Sequence, residues 1–201
     1  MIPPSHATDV RTAGPDRLHA LAPMFGRAFV DEPMLRWSLG LEGDLVEMLG
    51  CCFGYVLERV LGLGMVREAG GALGAAFWIP PEQPADWEQE HPWSQARITA
   101  LARDGGRRYD EFWEWVESCA PDEPMWLLDS LAVQPSAQGQ GLGRALIDDG
   151  LLRARADGIG VWLSTGTGRN VAIYERCGFR VAQAVDPPGG GPQIWFMRWD
   201  P

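Results

Sequence analysis

Cations are scarce in this chain. Lys and Arg together number 17 against 27 Asp and Glu, a formal net charge of -10 at pH 7 with a sequence pI near 4.7. A nucleic-acid-binding surface needs an excess of positive charge to displace counterions, so that class of partner is excluded, and a neutral or cationic small molecule is the better match. Acidity of this size also keeps a protein soluble. Cysteines are few: Cys51, Cys52, Cys119 and Cys177 stand at no metal-ligand spacing, and neighbouring Cys51 and Cys52 diverge on a helix, so reduced and mostly buried thiols are expected. The three histidines, His6, His19 and His91, are scattered, which indicates neither a metal site nor a catalytic dyad. Charges interrupt every apolar run before it reaches about 18 residues, and no basic segment followed by an apolar one opens the chain. The expectation is a soluble cytoplasmic protein without metal or membrane partner. There are no internal repeats and no low-complexity tracts.

What is there is enough chain for one core. The 201 residues are read as a single domain, with an N-terminal half at 1–124 and a C-terminal half at 125–201. Val10 to Ala13 is a short strand candidate. Gly14-Pro15-Asp16 then opens a helix with Leu18, Leu21, Ala22, Phe25 and Phe29 on one face. Glu32-Pro33 reads as its stop. A second amphipathic run follows from Leu45 to Val60, then a hairpin of Met65 to Glu68 and Leu73 to Ile79 around Gly70-Gly71. Between Glu82 and Pro124 the chain is rich in Trp, Glu, Pro and Arg, with helices predicted near Ser94 to Ala102 and Arg108 to Ser118.

The second half is more regular. Met125 to Val133 is a strand, Gly143 to Ala156 a helix and Gly160 to Ser164 another strand. Asn170 is positioned to cap a short helix through Tyr174 and Cys177, with Gly178 at its exit. Strands near Phe179 to Val185 and Gln193 to Trp199 close the chain, joined by Pro187-Pro188-Gly189-Gly190-Gly191. The pattern predicts an α/β fold: a mixed sheet with helices on both faces.

Between the buried strand and its helix lies Gln134-Pro-Ser-Ala-Gln138-Gly139-Gln140-Gly141-Leu142-Gly143-Arg144. Glycines at 139, 141 and 143 let main-chain amides approach an anion, and the helix start adds unpaired N–H groups and a positive dipole end. A Walker loop requires Gly-Lys-Ser/Thr, where this chain has Gly143-Arg144-Ala145. The dinucleotide fingerprint requires a third glycine or alanine at a place that Arg144 or Leu146 fills. Both are excluded.

Val133-x-Pro135-x-x-Gln138-x-x-Gly141-x-Gly143 resembles the acetyl-CoA motif of the GNAT acetyltransferases, and Asn170-Val-Ala-Ile-Tyr174-Glu-Arg-Cys-Gly178-Phe179 resembles their second signature. At the N-terminus, Ala28-Phe-Val-Asp-Glu-Pro33 is similar to the first-helix exit of puromycin N-acetyltransferase-type members; residues 34–124 match only in the order of elements. The resemblance implies a central, mostly antiparallel sheet, splayed at the cofactor strand. It implies acetyl-CoA as cosubstrate, its pantetheine arm on Leu131, Ala132 and Val133 and its pyrophosphate within Gln138, Gly139, Gln140, Gly141, Leu142, Gly143 and Arg144. Asn170 would meet the arm near the thioester. Arg144 is a candidate phosphate partner, Arg169 a weaker one. Ser164 stands where many puromycin-type members carry a carboxylate, so their acceptor specificity is not carried over.

Acetyl transfer to an amine needs a neutral nucleophile, a stabilised oxyanion and a proton for the departing thiolate. Tyr174 stands at the family's position for the acid. Asp129 shares strand parity with Leu131 and Val133 and is the candidate base. Asp31 and Glu32 are the rival pair, suited to drawing in a cationic substrate, and Trp37, Trp78, Trp113 and Trp115 are candidate walls of an acceptor cleft, although aromatics at such spacing are commonly core. The reading is N-acetylation of a primary amine on a small molecule, by a monomer or homodimer. A protein N-terminal or lysine acetyltransferase and a noncatalytic acetyl-CoA sensor are the alternatives.

Overall fold

The computed structural model describes residues 9–40, 42, 45–82 and 96–201. In chain order the elements are β1 (Val10–Thr12), α1 (Leu18–Ala28), α2 (Pro33–Leu39), α3 (Val46–Val60), β2 (Val66–Ala69), β3 (Gly74–Ile79), α4 (Arg107–Ser118), β4 (Trp126–Val133), α5 (Leu142–Asp157), β5 (Val161–Thr165), α6 (Gly168–Glu175), β6 (Arg180–Val185) and β7 (Ile194–Trp199). The strands form one seven-stranded sheet in the order β1-β2-β3-β4-β5-β7-β6. Every neighbouring pair is antiparallel except β4 and β5, which run parallel. Of the helix expected over Ser94 to Ala102, residues 94 and 95 lie outside the described residues; Ile98 and Ala102 join a core cluster with Leu45, Leu49 and Cys52. Residues 83–95 of the tryptophan-rich insert lie outside them too. No described helix is long and apolar enough to cross a membrane.

Helices cover both faces of the sheet, which is why β2 and β3 are buried at every position rather than at alternate ones. On one face α1 and α3 lie over Ala75, Phe77, Ile79 and Ala132. On the other, α5 and α6 lie over Ala76, Trp78, Leu128 and Leu163. The helix pair α1/α3 crosses at glycines: a Cβ on Gly26 would stand 2.3 Å from the Val46 carbonyl oxygen and 2.7 Å from the Gly50 nitrogen. Backbone, not a flexible side chain, is what it would strike. The hairpin turn follows the Gly70-Gly71 signal, with Gly70, Gly71 and Ala72 at φ 62°, 67° and 76°.

Two charged residues of β2 are buried, and each is paired. Arg67 donates from Nε and Nη2 to the two Asp149 carboxylate oxygens at 2.8 and 2.9 Å, tying β2 to α5, and also donates to Thr12 on β1. Glu68, 1% exposed, accepts from Arg11 and Arg17 at 2.8 and 3.0 Å. These pairs clamp the short edge strand β1, and an unpaired charge at either place would be costly. The cation of every such pair is arginine, because the chain has no lysine.

One element departs from the sequence pattern. Glu32-Pro33 does not only end α1; it starts α2. Proline fits the first helical position, where no N–H partner is needed, and Glu32 caps the helix by accepting from the Leu35 N–H at 2.8 Å.

The crossing generates a test of the packing: Gly26→Ala must push α1 away from α3, at a cost of about 1–3 kcal/mol. The urea unfolding midpoint should fall accordingly, and an unchanged midpoint contradicts the close-approach account.

Candidate active site

The site begins where the parallel pair fails. β4 and β5 pair only at Trp126↔Val161 and Leu127↔Trp162. Beyond Leu127, β4 keeps its partner β3 as far as Gly74↔Val133, while β5 keeps β7 as far as Thr165↔Trp195. The two facing edges diverge, and the β4 edge from residue 128 to 133 presents main-chain groups to a V-shaped gap in the centre of the sheet. Such groups require a partner from elsewhere.

At the wide end of the gap the chain turns through Pro135–Ala137 and reaches α5 by way of two glycines in left-handed conformations, Gly139 (φ 76°) and Gly141 (φ 87°). A Cβ on either would meet nothing within 4 Å, so the crest of the loop is open. Gly141 caps α5 without any side-chain bond, and the first intrahelical bond runs from the Ala145 N–H to the Gly141 carbonyl at 3.0 Å. The preceding N–H groups point outward at the positive end of a 16-residue helix. Gly143 is different: a Cβ there would make ordinary contacts with Val133 and Leu131, at 3.6 and 4.0 Å. The loop needs glycine at 139 and 141; at 143 its conformation does not demand it. Gln138 donates to the Val133 carbonyl at 3.3 Å and Gln140 to the Ser136 carbonyl at 3.2 Å, so both brace the loop. Arg144 is held by Asp148 at 2.8 Å and donates to the Arg176 carbonyl at 3.1 Å.

At the end of β5, Asn170 is not the cap of α6. Thr167 is: its hydroxyl accepts from the Asn170 N–H at 3.3 Å. Asn170 lies one turn inside and donates to the buried Thr165 hydroxyl at 3.1 Å, which anchors α6 to the strand that borders the gap. Further along α6, Tyr174 is 8% exposed, with its ring edge-on to Phe179 at 5.7 Å. Its hydroxyl has no hydrogen-bond partner among the described residues. Burial, then the neighbouring Cys177 and Glu32, hold its pKa well above that of a free tyrosine, so it keeps its proton.

Glu32 reaches the same place from the N-terminal half. One carboxylate oxygen caps α2; the other lies 3.1 Å from where a Cβ on Gly166 would be, and Met34 lies 2.8 Å from that point. Only glycine in the β5–α6 turn lets the start of α2 approach this closely. Burial raises the Glu32 pKa against the lowering effect of the Leu35 and Met34 amides. Asp31 is exposed beside it.

Asp129 does not obey strand parity. Phe77 pairs with Ser130 and Trp78 with Leu128, so Asp129 is the extra residue of a β-bulge. Leu128 takes the face that holds Leu131 and Val133, and Asp129 sits between the two registers, near enough to Tyr109 of α4 that its charge raises the pKa of that phenol. Solvent reaches Asp129 although it lies mid-strand in the centre of a sheet covered on both sides. Desolvation by the surrounding protein raises its pKa, against the Ser130 hydroxyl, which donates to it at 2.7 Å.

Trp78 is corrected too. It is 2% exposed, and a Cβ on Gly150 would lie 2.0 Å from its ring, so it fills the core beneath α5 and walls no cleft. Trp37 is half-buried and tilted against Phe112 at 5.5 Å, with the Arg108 guanidinium 5.4 Å from its ring centre. Trp113 packs on Phe112 and Tyr109, and Trp115 on Phe196. Tyr174, Asn170 and Glu32 thus lie together at the end of β5, while Asp129 stands at the β4 bulge beside Tyr109 and the glycine loop follows β4. The bulge and the Glu32–Gly166 approach had no signal in the sequence.

A family model described as acetyltransferase (GNAT) domain matches residues 98–181. The mycothiol acetyltransferase of Geodermatophilus obscurus is 34% identical over 123 residues, 55% of this chain and 39% of the relative; that of Cellulomonas flavigena is 35% identical over 118 residues, 52% and 34%. The chain thus spans well under half the length of these curated relatives. Among solved structures, one from Corynebacterium glutamicum described as histone acetyltransferase HPA2 and related acetyltransferase superposes with TM-score 0.66 at 21% identity, covering 96% of this chain and 95% of that one. The Drosophila melanogaster polyamine N-acetyltransferase gives 0.65 at 16%, covering 96% and 99%. Residues 98–181 thus match the GNAT acetyltransferase domain, and the fold is shared with solved acetyltransferases.

Gly141→Val would force a β-branched residue to positive φ where amides must meet an anion, in a loop with room for the side chain. The protein should stay folded and lose acetyl-CoA binding in calorimetry. A folded variant with unchanged affinity rules out the loop as the anion site.

Proposed function

We propose that the chain is an acetyl-CoA-dependent N-acetyltransferase acting on the primary amine of a small molecule, by direct transfer within a ternary complex. The observation that carries this is the meeting, around one gap in the sheet, of an open donor-lined loop, unpaired β4 main chain and a buried neutral tyrosine. These residues fit acetyl-CoA: the β4 edge from Leu131 to Val133 for the pantetheine amides, the loop from Gln138 to Leu142 and the α5 start for the pyrophosphate, and Asn170 for the arm near the thioester. Gly143 gives the arm room beside Val133, and Arg144 can turn to a phosphate only by leaving Asp148.

In this reading Asp129, at the β4 bulge, takes a proton from the ammonium form of the acceptor. The amine nitrogen attacks the thioester carbonyl carbon, the C–S bond breaks as the tetrahedral adduct collapses, and Tyr174 protonates the departing thiolate; the second ammonium proton leaves the nitrogen and, through solvent, restores the Tyr174 hydroxyl, while Asp129 releases its proton to solvent. Glu32, with Asp31 outside it, supplies negative charge that attracts a cation. A small acceptor is also supported by the relatives whose names give mycothiol and polyamines as the molecules acted on. The test is a panel of small amines, peptide N-termini and lysine peptides with detection of released thiol. Turnover on small amines supports the proposal. Turnover on peptides alone, or binding of acetyl-CoA with no acceptor turned over, rejects it.

Tyr174→Phe should lower kcat roughly 10- to 1000-fold with acetyl-CoA affinity nearly intact, since only the proton is lost. A rate within about twofold of the parent, where chemistry limits turnover, would reduce the tyrosine to packing.

Asp129 must be ionised to act, and its raised pKa places the acidic limb of the kcat/KM profile above the ordinary carboxylate range, with activity rising as pH rises through it. Asp129→Asn should lose that limb, fall about 100-fold or more at neutral pH and recover partly at high pH, where free amine is abundant. Full activity at pH 7 would transfer the role to Glu32 or to a held water.

A further inference from the structure

Arg27 lies in the last turn of α1, half-buried, beside the residue that follows β4. Its Nε donates to Gln134 Oε1 at 2.9 Å. No carboxylate meets it among the described residues, and the rest of its fork of donors has no acceptor there. Several other arginines rest on carboxylates: Arg11 and Arg17 on Glu68, Arg67 on Asp149 and Arg144 on Asp148. Arg27 shares with Arg36 a half-buried guanidinium that no described carboxylate meets, but Arg36 donates to the Val30 carbonyl just ahead of its own helix, whereas Arg27 reaches a side-chain amide at the start of the glycine loop.

Its partner sharpens the point. Because Gln134 Oε1 accepts from Arg27, the amide turns its Nε2 donors away, and no described acceptor meets those either. The result is a corner made of donors only. It stands at the last residue before the Pro135–Ala137 turn, where the Gln134 N–H is fixed to the Leu73 carbonyl at 2.8 Å, and the glycine loop follows immediately. A planar guanidinium beside an amide is the geometry that binds a phosphate group bidentately.

We propose that Arg27 and Gln134 form a second phosphate-binding corner of this site, taking one phosphate group of acetyl-CoA in addition to the loop at Gly139 and Gly141; the proposal rests on the acetyl-CoA reading above. Its bland rival is that Arg27 serves only the negative end of α1.

Isothermal titration of the full chain with acetyl-CoA and with 3′-dephospho-acetyl-CoA, and ligand-observed NMR with S-acetylpantetheine, separate the two. Arg27→Gln should weaken acetyl-CoA about tenfold or more and change S-acetylpantetheine less than about twofold, with Arg27→Lys between the parent and Arg27→Gln. If the loss disappears with the dephospho compound, the corner holds the 3′-phosphate; if it persists, the pyrophosphate. Either supports the proposal. Unchanged affinity for acetyl-CoA, or equal weakening of all three thioesters, overturns it. A parent protein that binds acetyl-CoA while Arg27→Gln binds it equally well sinks this corner alone; a folded parent that does not bind acetyl-CoA sinks the loop reading with it.

Discussion

The divergence of β4 from β5 is the constraint on which the rest depends. A sheet gains by pairing every strand, and a gap at its centre leaves main-chain donors and acceptors on two inner edges. The fold keeps the gap open from both ends. At the narrow end two register pairs hold the strands together, and the bulge at Asp129 interrupts the alternation just where they part. At the wide end each strand is held by its outer neighbour instead, β4 by β3 as far as Val133 and β5 by β7 as far as Thr165.

Other features follow from holding that gap. The tight α1/α3 crossing places a rigid layer behind β3 and β4, and the Arg67–Asp149 pair fastens β2 to α5 on the opposite face. With both faces fixed, the gap has walls from both halves of the chain. Gly166 lets α2 press its capping glutamate against the β5–α6 turn, so a residue from the first helix exit meets a tyrosine more than a hundred positions later. The charge of Glu32 raises the pKa of that tyrosine, which links the two halves of the chain at one place.

The second half of the fold was legible because its signals are local. A buried strand, glycines before a periodic helix and Gly178 at a helix exit each act within a few residues, and the structure places the elements close to the expected limits. Three features were not legible, for physical reasons. Asp129 was assigned to a face by alternation, but a bulge is decided by how β3 and β4 fit and leaves alternation intact on either side. Asn170 and Thr167 are both good caps three residues apart, and their choice depends on where β5 releases the chain. Pro33 signals a stop and a start with equal force; the short α2 exists because Glu32 satisfies its first amides and Met34 finds a core. Trp78 was ambiguous in another way, since the same residue type builds cores and clefts, and only the missing side chain of Gly150 decided it.

The arginine-only ion pairs have a chemical consequence. Acetyl thioesters acylate unprotonated amines without help from any catalyst, and lysine is the usual casualty. A guanidinium stays protonated at any pH the protein meets and is a poor nucleophile. The clamps at Arg67 and around Glu68 therefore offer a reactive acyl donor no amine to modify, and the sequence carries no lysine ε-amine for amine-directed reagents to acylate.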